Sequence, residues 1–189
     1  YNYKWDDNKV DIILINPNEN DDVAKDIIGH FVKTTEIEFF KKGMIKKAFD
    51  KDFKTILNII SMKEKDFLKI DGVKEKSAKK IFKSFKLNLN NIPIWKLAAA
   101  SEYFDNLGKK RLKLIFDKLP DVLEKSNIHE IEKKIIEIDG FSEITSNNFV
   151  TDLNNFKNFV TKYEKFYKIQ YLDNKKDDND GLLLGISFL

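Results

Sequence analysis

The spacing of hydrophobic and polar positions changes character twice along the chain. Val10-Asp11-Ile12-Ile13-Leu14-Ile15 is short and β-branched, which predicts a strand broken by Asn16-Pro17-Asn18. From Asp21 the period becomes helical, with Val23, Ala24, Ile27, Ile28, Phe31 and Val32 on one face. A strand-like run returns at Leu182-Leu183-Leu184-Gly185-Ile186-Ser187-Phe188-Leu189, behind the charged, glycine-ended stretch from Lys175 to Gly181. The expected organisation is a strand-like region over 1–18, a helical domain over 19–170, a linker over 171–181, and the first strand of a truncated further domain over 182–189. The fold class is all-α with short strand-like edges.

The helical middle is repetitive. Segments starting at Ile37, Ile70, Phe104 and Ile138 share one pattern, at separations of 33, 34 and 34 residues. A fixed period of this length means one supersecondary unit used four times. The second copy shows what the unit is. Phe67 and Ile70 lie on one face of a short helix, and Ser61 three residues before Glu64 predicts its capping box. Gly72 ends that helix. Lys76 to Phe85 then forms a second one, with Ala78, Ile81, Phe82 and Phe85 inward. Val73 is the apolar plug between two tight bends, and Ala78 is small where the helices approach. Tetratricopeptide arrays share the period, but their Trp, Leu-Gly, Tyr and Pro positions are not met: neither Trp5 nor Trp95 recurs.

Composition narrows the chemistry. The 189 residues include no cysteine, which excludes disulfides, cysteine-held zinc, iron–sulfur clusters and a thiol nucleophile. His30 and His129 are far apart, and no carboxylate cluster has a two-metal spacing. No apolar run approaches the ~20 residues of a membrane helix. With Tyr1 at its start and no readable signal peptide, the chain is expected to be an intracellular segment of something longer. The net charge is +3, but it is unevenly spread. Residues 1–30 carry 3 basic against 7 acidic side chains, 31–119 carry 22 against 11, and 120–189 carry 9 against 13. A basic centre between acidic ends suits a nucleic-acid-binding face; a solvated lysine-rich surface has the same composition.

Each bend delivers basic residues to a helix N-terminus. There the backbone N–H groups lack partners and the helix dipole is positive. A glycine beside them lets a phosphate oxygen approach. The candidate contacts are Lys41, Lys42 and Gly43 in the first copy, and Gly72, Val73, Lys74 and Lys76 in the second. Gly108, Lys109, Lys110 and Arg111 are those of the third, and Gly140 and Ser142 those of the fourth. Copies two and three are expected to do most of the binding. The fourth is less basic, and Phe39 marks the first as a packing copy. Such contacts give position and affinity without reading bases.

The pattern of apolar residue, glycine, apolar residue, glycine and closing alanine resembles the helix-hairpin-helix motif of DNA-binding proteins. The copies depart from it unequally: Lys74 and Ser142 stand at the second glycine, Asn106 at the first, and Phe39 and Lys41 at both, a substitution expected to carry some conformational cost. Four units in this order resemble that domain of NAD-dependent DNA ligases over roughly residues 20–170. The similar stretches are Phe53–Ile60 with Phe67–Gly72, Leu107–Ile115 with Pro120-Asp121, and Ile138–Ser142 with Asn148-Phe149-Val150. In that family an OB-fold precedes and a BRCT domain follows, matching the strand-like ends. Cellular members carry a four-cysteine zinc module before the first unit. Its absence, with Trp5 and Val10–Leu14, is similar to the zinc-less ligases of large DNA viruses.

The resemblance implies duplex DNA, nicked, as partner, alongside catalytic domains of the same polypeptide, with no membrane. It implies NAD and Mg as cofactors of the parent ligase and none in this segment. The family's catalytic lysine sits in a Lys-x-Asp-Gly motif, and Asp71-Gly72, preceded by Ile70 and Lys69, is not read as one, so the segment is not expected to seal nicks alone. Two other readings stay open: a DNA-binding module of a repair nuclease or junction-processing protein, and a helical scaffold that never touches DNA. Elsewhere, Pro93 is expected in the first turn of a helix, Trp95 in the core and His30 on a helix surface. Phe156, Phe159, Val160, Tyr163, Phe166 and Tyr167 should form a closing helix.

Overall fold

The computed structural model describes residues 3–5, 12–14, 20–104 and 107–171. The expected strand at 182–189 and all but the first residue of its linker lie outside the described residues. Near the start, β1 (Tyr3–Trp5) pairs antiparallel with β2 (Ile12–Leu14), which falls inside the expected strand; Lys4 stands opposite Ile13. The described residues after it are predominantly helical.

The helices come as pairs. The first pair is α1 (Asp21–Thr34) and α2 (Lys42–Phe49). A single short helix, α3 (Ile56–Ile60), leads to the second pair, α4 (Glu64–Phe67) and α5 (Glu75–Leu89). The third pair, α6 (Ile94–Ser101) and α7 (Lys109–Lys118), follows a short strand, β3 (Ile92–Pro93). The fourth is α8 (Ile128–Ile136) and the long α9 (Glu143–Tyr163), after which β4 (Ile169–Gln170) pairs parallel with β3. Helices α1, α5 and α7 each bury an apolar stripe, as their 3.6-residue periodicity requires.

Two local expectations are corrected. Ser61 does not cap α4. It closes α3 instead, its hydroxyl donating to the Asn58 carbonyl at 2.8 Å, and the Asp66 carboxylate accepts the Lys63 N–H at 3.0 Å. A hydroxyl at the end of one helix reaches back before it can serve the next. Pro93 precedes α6 rather than lying in its first turn, and with Ile92 it forms the two-residue strand β3. A pairing this short leaves no alternation in the sequence. It is made by the chain returning from α9: Asn91 N–H donates to the Lys168 carbonyl at 2.8 Å, and Lys168 N–H to Asn90 Oδ1 at 3.1 Å.

One continuous core fills the molecule, with an aromatic cluster in each half. Phe40 meets Phe67 and Phe85 edge-on, at 6.0 and 5.3 Å between ring centroids. In the other half Phe104 stacks on Phe149 at 4.7 Å, and Phe116 and Phe156 close around them. Each fully buried Phe contributes about 1.5–3 kcal/mol. The closing stripe is continuous with the fourth pair, because Phe156, Phe159, Val160 and Tyr163 all lie on α9 and are buried. Phe166, beyond the helix end, is exposed instead. Tyr163 joins the halves by donating its hydroxyl to the Leu89 carbonyl at 2.8 Å.

Burial raises the pKa of Tyr163 above its ordinary 10.0, reinforced by Tyr167, whose own is pushed up to about 12. Above about pH 10 the unfolded chain therefore gives up protons that the folded chain keeps. Stability should be undiminished below pH 10 and fall as pH rises beyond it. In urea titrations Tyr163→Phe should lose about 1 kcal/mol at neutral pH and show a flatter alkaline decline. A second pair of variants isolates backbone conformation. Gly140 has φ +80 and open space where a Cβ would go, whereas Gly108 has equally open space at φ −64. Gly140→Ala should cost about 1–2 kcal/mol and Gly108→Ala less than about 1 kcal/mol, read from the same titrations.

Candidate nucleic-acid interface

Superposing the four connections by register explains their shared pattern. Ile37, Ile70, Phe104 and Ile138 are buried at the start of each. Two residues later the chain takes a left-handed conformation, at Phe39 (φ +65), Gly72 (φ +85) and Gly140 (φ +80); the third counterpart, Asn106, lies outside the described residues. Then comes the plug, with Phe40, Val73 and Leu107 buried and Phe141 half-buried. The next residue is the N-cap of the second helix: Lys41, Lys74, Gly108 and Ser142. Four residues further, Ile45, Ala78, Leu112 and Ser146 are buried, the Ser146 hydroxyl donating to the Glu132 carbonyl at 3.1 Å.

The expected conformational cost at the second glycine position is not there. Lys41, Lys74 and Ser142 have φ −93, −102 and −117, extended values open to any residue. Only the first glycine position demands a left-handed backbone. The expectation that Phe39 makes the first connection a packing copy also fails locally, because its side chain is exposed while Phe40 does the packing.

The helix N-termini differ in a way that matters chemically. Asn20, Thr55 and Asn127 cap α1, α3 and α8 with their side chains. Ser142 caps α9, accepting from Thr145 N–H at 3.3 Å. Side-chain caps are absent from α4 and α6, and from α2, α5 and α7, three of the helices that follow a connection. The first helical residues of α2, α5 and α7 are exposed, and of these three helices only α5 carries an acidic residue in its first turn, Glu75. An uncapped, positive helix end with lysines beside it is a site for an anion.

The predicted residues cluster on these ends. Lys41, Lys42 and Gly43 are exposed at α2, Gly72, Lys74 and Lys76 at α5, and Gly108, Lys109, Lys110 and Arg111 at α7. Val73 is the exception: it is buried and supports the turn. Gly140 and Ser142 are exposed at α9, which has no lysine or arginine in its first turn. Among the described residues Lys41, Lys42, Lys74, Lys76 and Lys110 form no ion pair. Lys109 lies over the Trp95 ring at 5.5 Å and Arg111 over Phe141 at 5.9 Å.

Connections touch neighbouring pairs. Lys47 donates to the Asp71 carbonyl at 2.7 Å, joining the first pair to the second connection. Glu36, in the first connection, pairs with Lys96 at 3.0 Å. The Lys96 hydrogen bond and charge, aided by Lys109 of the third pair, hold the Glu36 carboxyl below the ordinary carboxylate range. Arg111 over Phe141 links third to fourth. The first, second and fourth connections are thus each tied to a helix of another pair.

Several residues were harder to see in the sequence. Lys80, one helical turn and more beyond the second tip, reaches the Phe39 ring at 6.0 Å. Trp95 is half-buried beneath Lys109 and Lys113 rather than fully inside. His30 stays on the surface of α1 as expected, with Nε2 2.9 Å from the Ala99 carbonyl and Nδ1 3.4 Å from Glu102. Lys69-Ile70-Asp71-Gly72 does have the Lys-x-Asp-Gly spacing, so the motif is present in the sequence. In the structure it forms the second connection: Ile70 is buried, Gly72 makes the left-handed turn, and exposed Lys69 pairs with Asp66 at 2.8 Å. The tetrapeptide thus keeps the register shared with the other connections.

These features define a mostly helical protein whose hairpin tips present uncapped, lysine-bearing helix ends. No helix among the described residues is long and apolar enough to cross a membrane, and none of their acidic and histidine groups forms a metal-holding cluster. The chain is 36% identical over 173 residues to a DNA ligase of Acanthamoeba polyphaga mimivirus, an alignment covering 88% of this chain and 26% of that protein. It is 25% identical over 146 residues to a protein of Invertebrate iridescent virus 6 named "Putative DNA ligase 205R", covering 76% of this chain and 22% of the relative. No family model matches. The chain is therefore related to viral proteins named DNA ligase, and spans about a quarter of their length.

The capping difference is open to a direct check. Lys74→Ser would supply the missing side-chain acceptor and should stabilise the protein by about 0.5–1 kcal/mol, whereas Ser142→Ala should cost about 1 kcal/mol. Paired urea titrations would show opposite signs.

Proposed function

We propose that this chain grips duplex DNA around a nick, through the backbone phosphates facing the minor groove, as part of an NAD-dependent DNA ligase. The observation that carries the reading is the set of three helix ends, α2, α5 and α7, left without side-chain caps and flanked by unpaired lysines. The four helix pairs are read as tandem helix-hairpin-helix units. Kinship with viral DNA ligases supplies the biological setting.

The chemistry follows from the parts. Each open N-terminus offers N–H groups to phosphate oxygens, and the lysines add charge and release counterions on binding. Lys41, Lys42, Lys74, Lys76, Lys109, Lys110 and Arg111 supply that charge; Gly72, Gly108 and Gly140 allow close approach. None of these groups reads a base edge, so the grip is independent of sequence. The Ser142 cap makes the fourth tip a weaker contact. Nick sealing itself, with NAD and Mg, belongs to catalytic domains elsewhere in the polypeptide; this segment holds the substrate for them. The strand-like start and the 182–189 run are read as edges of an OB-fold and a BRCT domain.

Fluorescence anisotropy with labelled nicked and continuous duplexes across a salt series tests this. Affinity should fall linearly on a log–log plot, and Lys74→Ala, Lys109→Ala or Arg111→Ala should each reduce the slope by about one. Absence of binding at low salt would overturn the reading and favour a helical scaffold.

A further inference from the structure

The first tip has a feature that phosphate binding does not require. Phe39 holds φ +65, where its counterparts are Gly72 and Gly140. A Cβ makes this conformation costly for any residue but glycine. Burial does not offset the cost, since Phe39 remains 53% exposed. The tip is nevertheless fixed. Glu38 N–H donates to Ser84 Oγ at 2.8 Å, and Phe40 beside it is wedged between Phe67 and Phe85. A cation meets the ring, Lys80 Nζ at 6.0 Å from its centroid, and Lys41 and Lys42 stand two and three residues further along the chain. Glu36, Asp52, Asn91 and Glu102 also hold positive φ, but among these residues Phe39 alone displays an aromatic ring, and a strained residue held this firmly points to a function for that side chain.

An apolar ring set among cations matches a partner whose charges flank apolar faces. Duplex DNA has that chemistry, with phosphates on either side of stacked bases. We infer that Phe39 is a wedge that enters the minor groove and stacks at an interrupted base step, giving the array a preference for nicked over continuous duplex. The inference rests on the DNA-binding reading above. Entering a continuous duplex requires unstacking a base step, whereas a step without its phosphodiester link yields more readily. Stacking of an aromatic side chain on a base is also tolerant of sequence, in keeping with a grip that reads none.

The test uses this chain with a continuous duplex, the same duplex nicked, and a nicked duplex with 2-aminopurine beside the break. The wild type should prefer the nicked duplex and brighten the 2-aminopurine as its neighbour unstacks. Phe39→Ala should lose about 5- to 10-fold in affinity for the nicked duplex alone, abolish the brightening and leave the salt slope unchanged. Phe39→Trp should keep both signals. Phe39→Gly, which relieves the backbone, should melt at a higher temperature than the wild type and still lose the preference, separating wedge from fold. Equal wild-type affinity for the two duplexes, or a preference that survives Phe39→Ala, would overturn the wedge and leave the backbone grip standing. If the wild type bound neither duplex, the grip itself would fall.

Discussion

The architecture depends on one backbone constraint, repeated. At the end of each first helix the chain must reverse within a few residues. A left-handed residue does this at Phe39, Gly72 and Gly140. The reversal drops the next side chain into the core and starts the second helix two residues on, pointing outward. Turn, plug and exposed helix end are therefore one event. The turn cannot be kept without the plug, and the plug fixes where the N–H groups face.

That coupling sets a balance between stability and binding. A helix without a cap forgoes about 1 kcal/mol that Ser, Thr or Asn would supply. The chain uses such caps at Asn20, Thr55, Asn127 and Ser142, but none at α4 or α6, and it has Lys41, Lys74 and Gly108 at the ends of α2, α5 and α7. On the proposed DNA-binding reading, local stability is given up where a phosphate would bind. The two aromatic clusters and the Tyr163–Leu89 hydrogen bond stabilise the scaffold against that loss.

Much of this is legible in the sequence because it rests on periodicity. The repeat at Ile37, Ile70, Phe104 and Ile138 gave the four connections, and buried positions such as Ala78 and Phe85 followed from helical spacing. Capping was harder. Ser61 and Glu64 have the right separation, but the hydroxyl serves the helix behind it, and spacing cannot tell in which direction a serine reaches. The strand Ile92–Pro93 is invisible because its partner, Ile169–Gln170, is distant in sequence. Phe39 misled for a related reason: an aromatic residue is usually core, and only the backbone angle shows that Phe40 took that place. The Lys-x-Asp-Gly spacing at Lys69 shows the converse, since a short motif carries its usual meaning only in the right structural context.

On the proposed reading, repetition also explains how weak contacts would give a useful grip. One helix end with two or three lysines holds a phosphate feebly, and salt screens it. Connected rigidly, several such ends act together, because after the first contact the others no longer lose translational freedom. This gain requires the tips to keep their spacing. The links between them meet that need: Lys47 with Asp71, Glu36 with Lys96, and Arg111 over Phe141. Each is modest and partly exposed, so none is a large source of stability. Their effect is geometric. They tie connections to helices of other pairs, which on the proposed reading lets several local bends act on one nucleic-acid backbone.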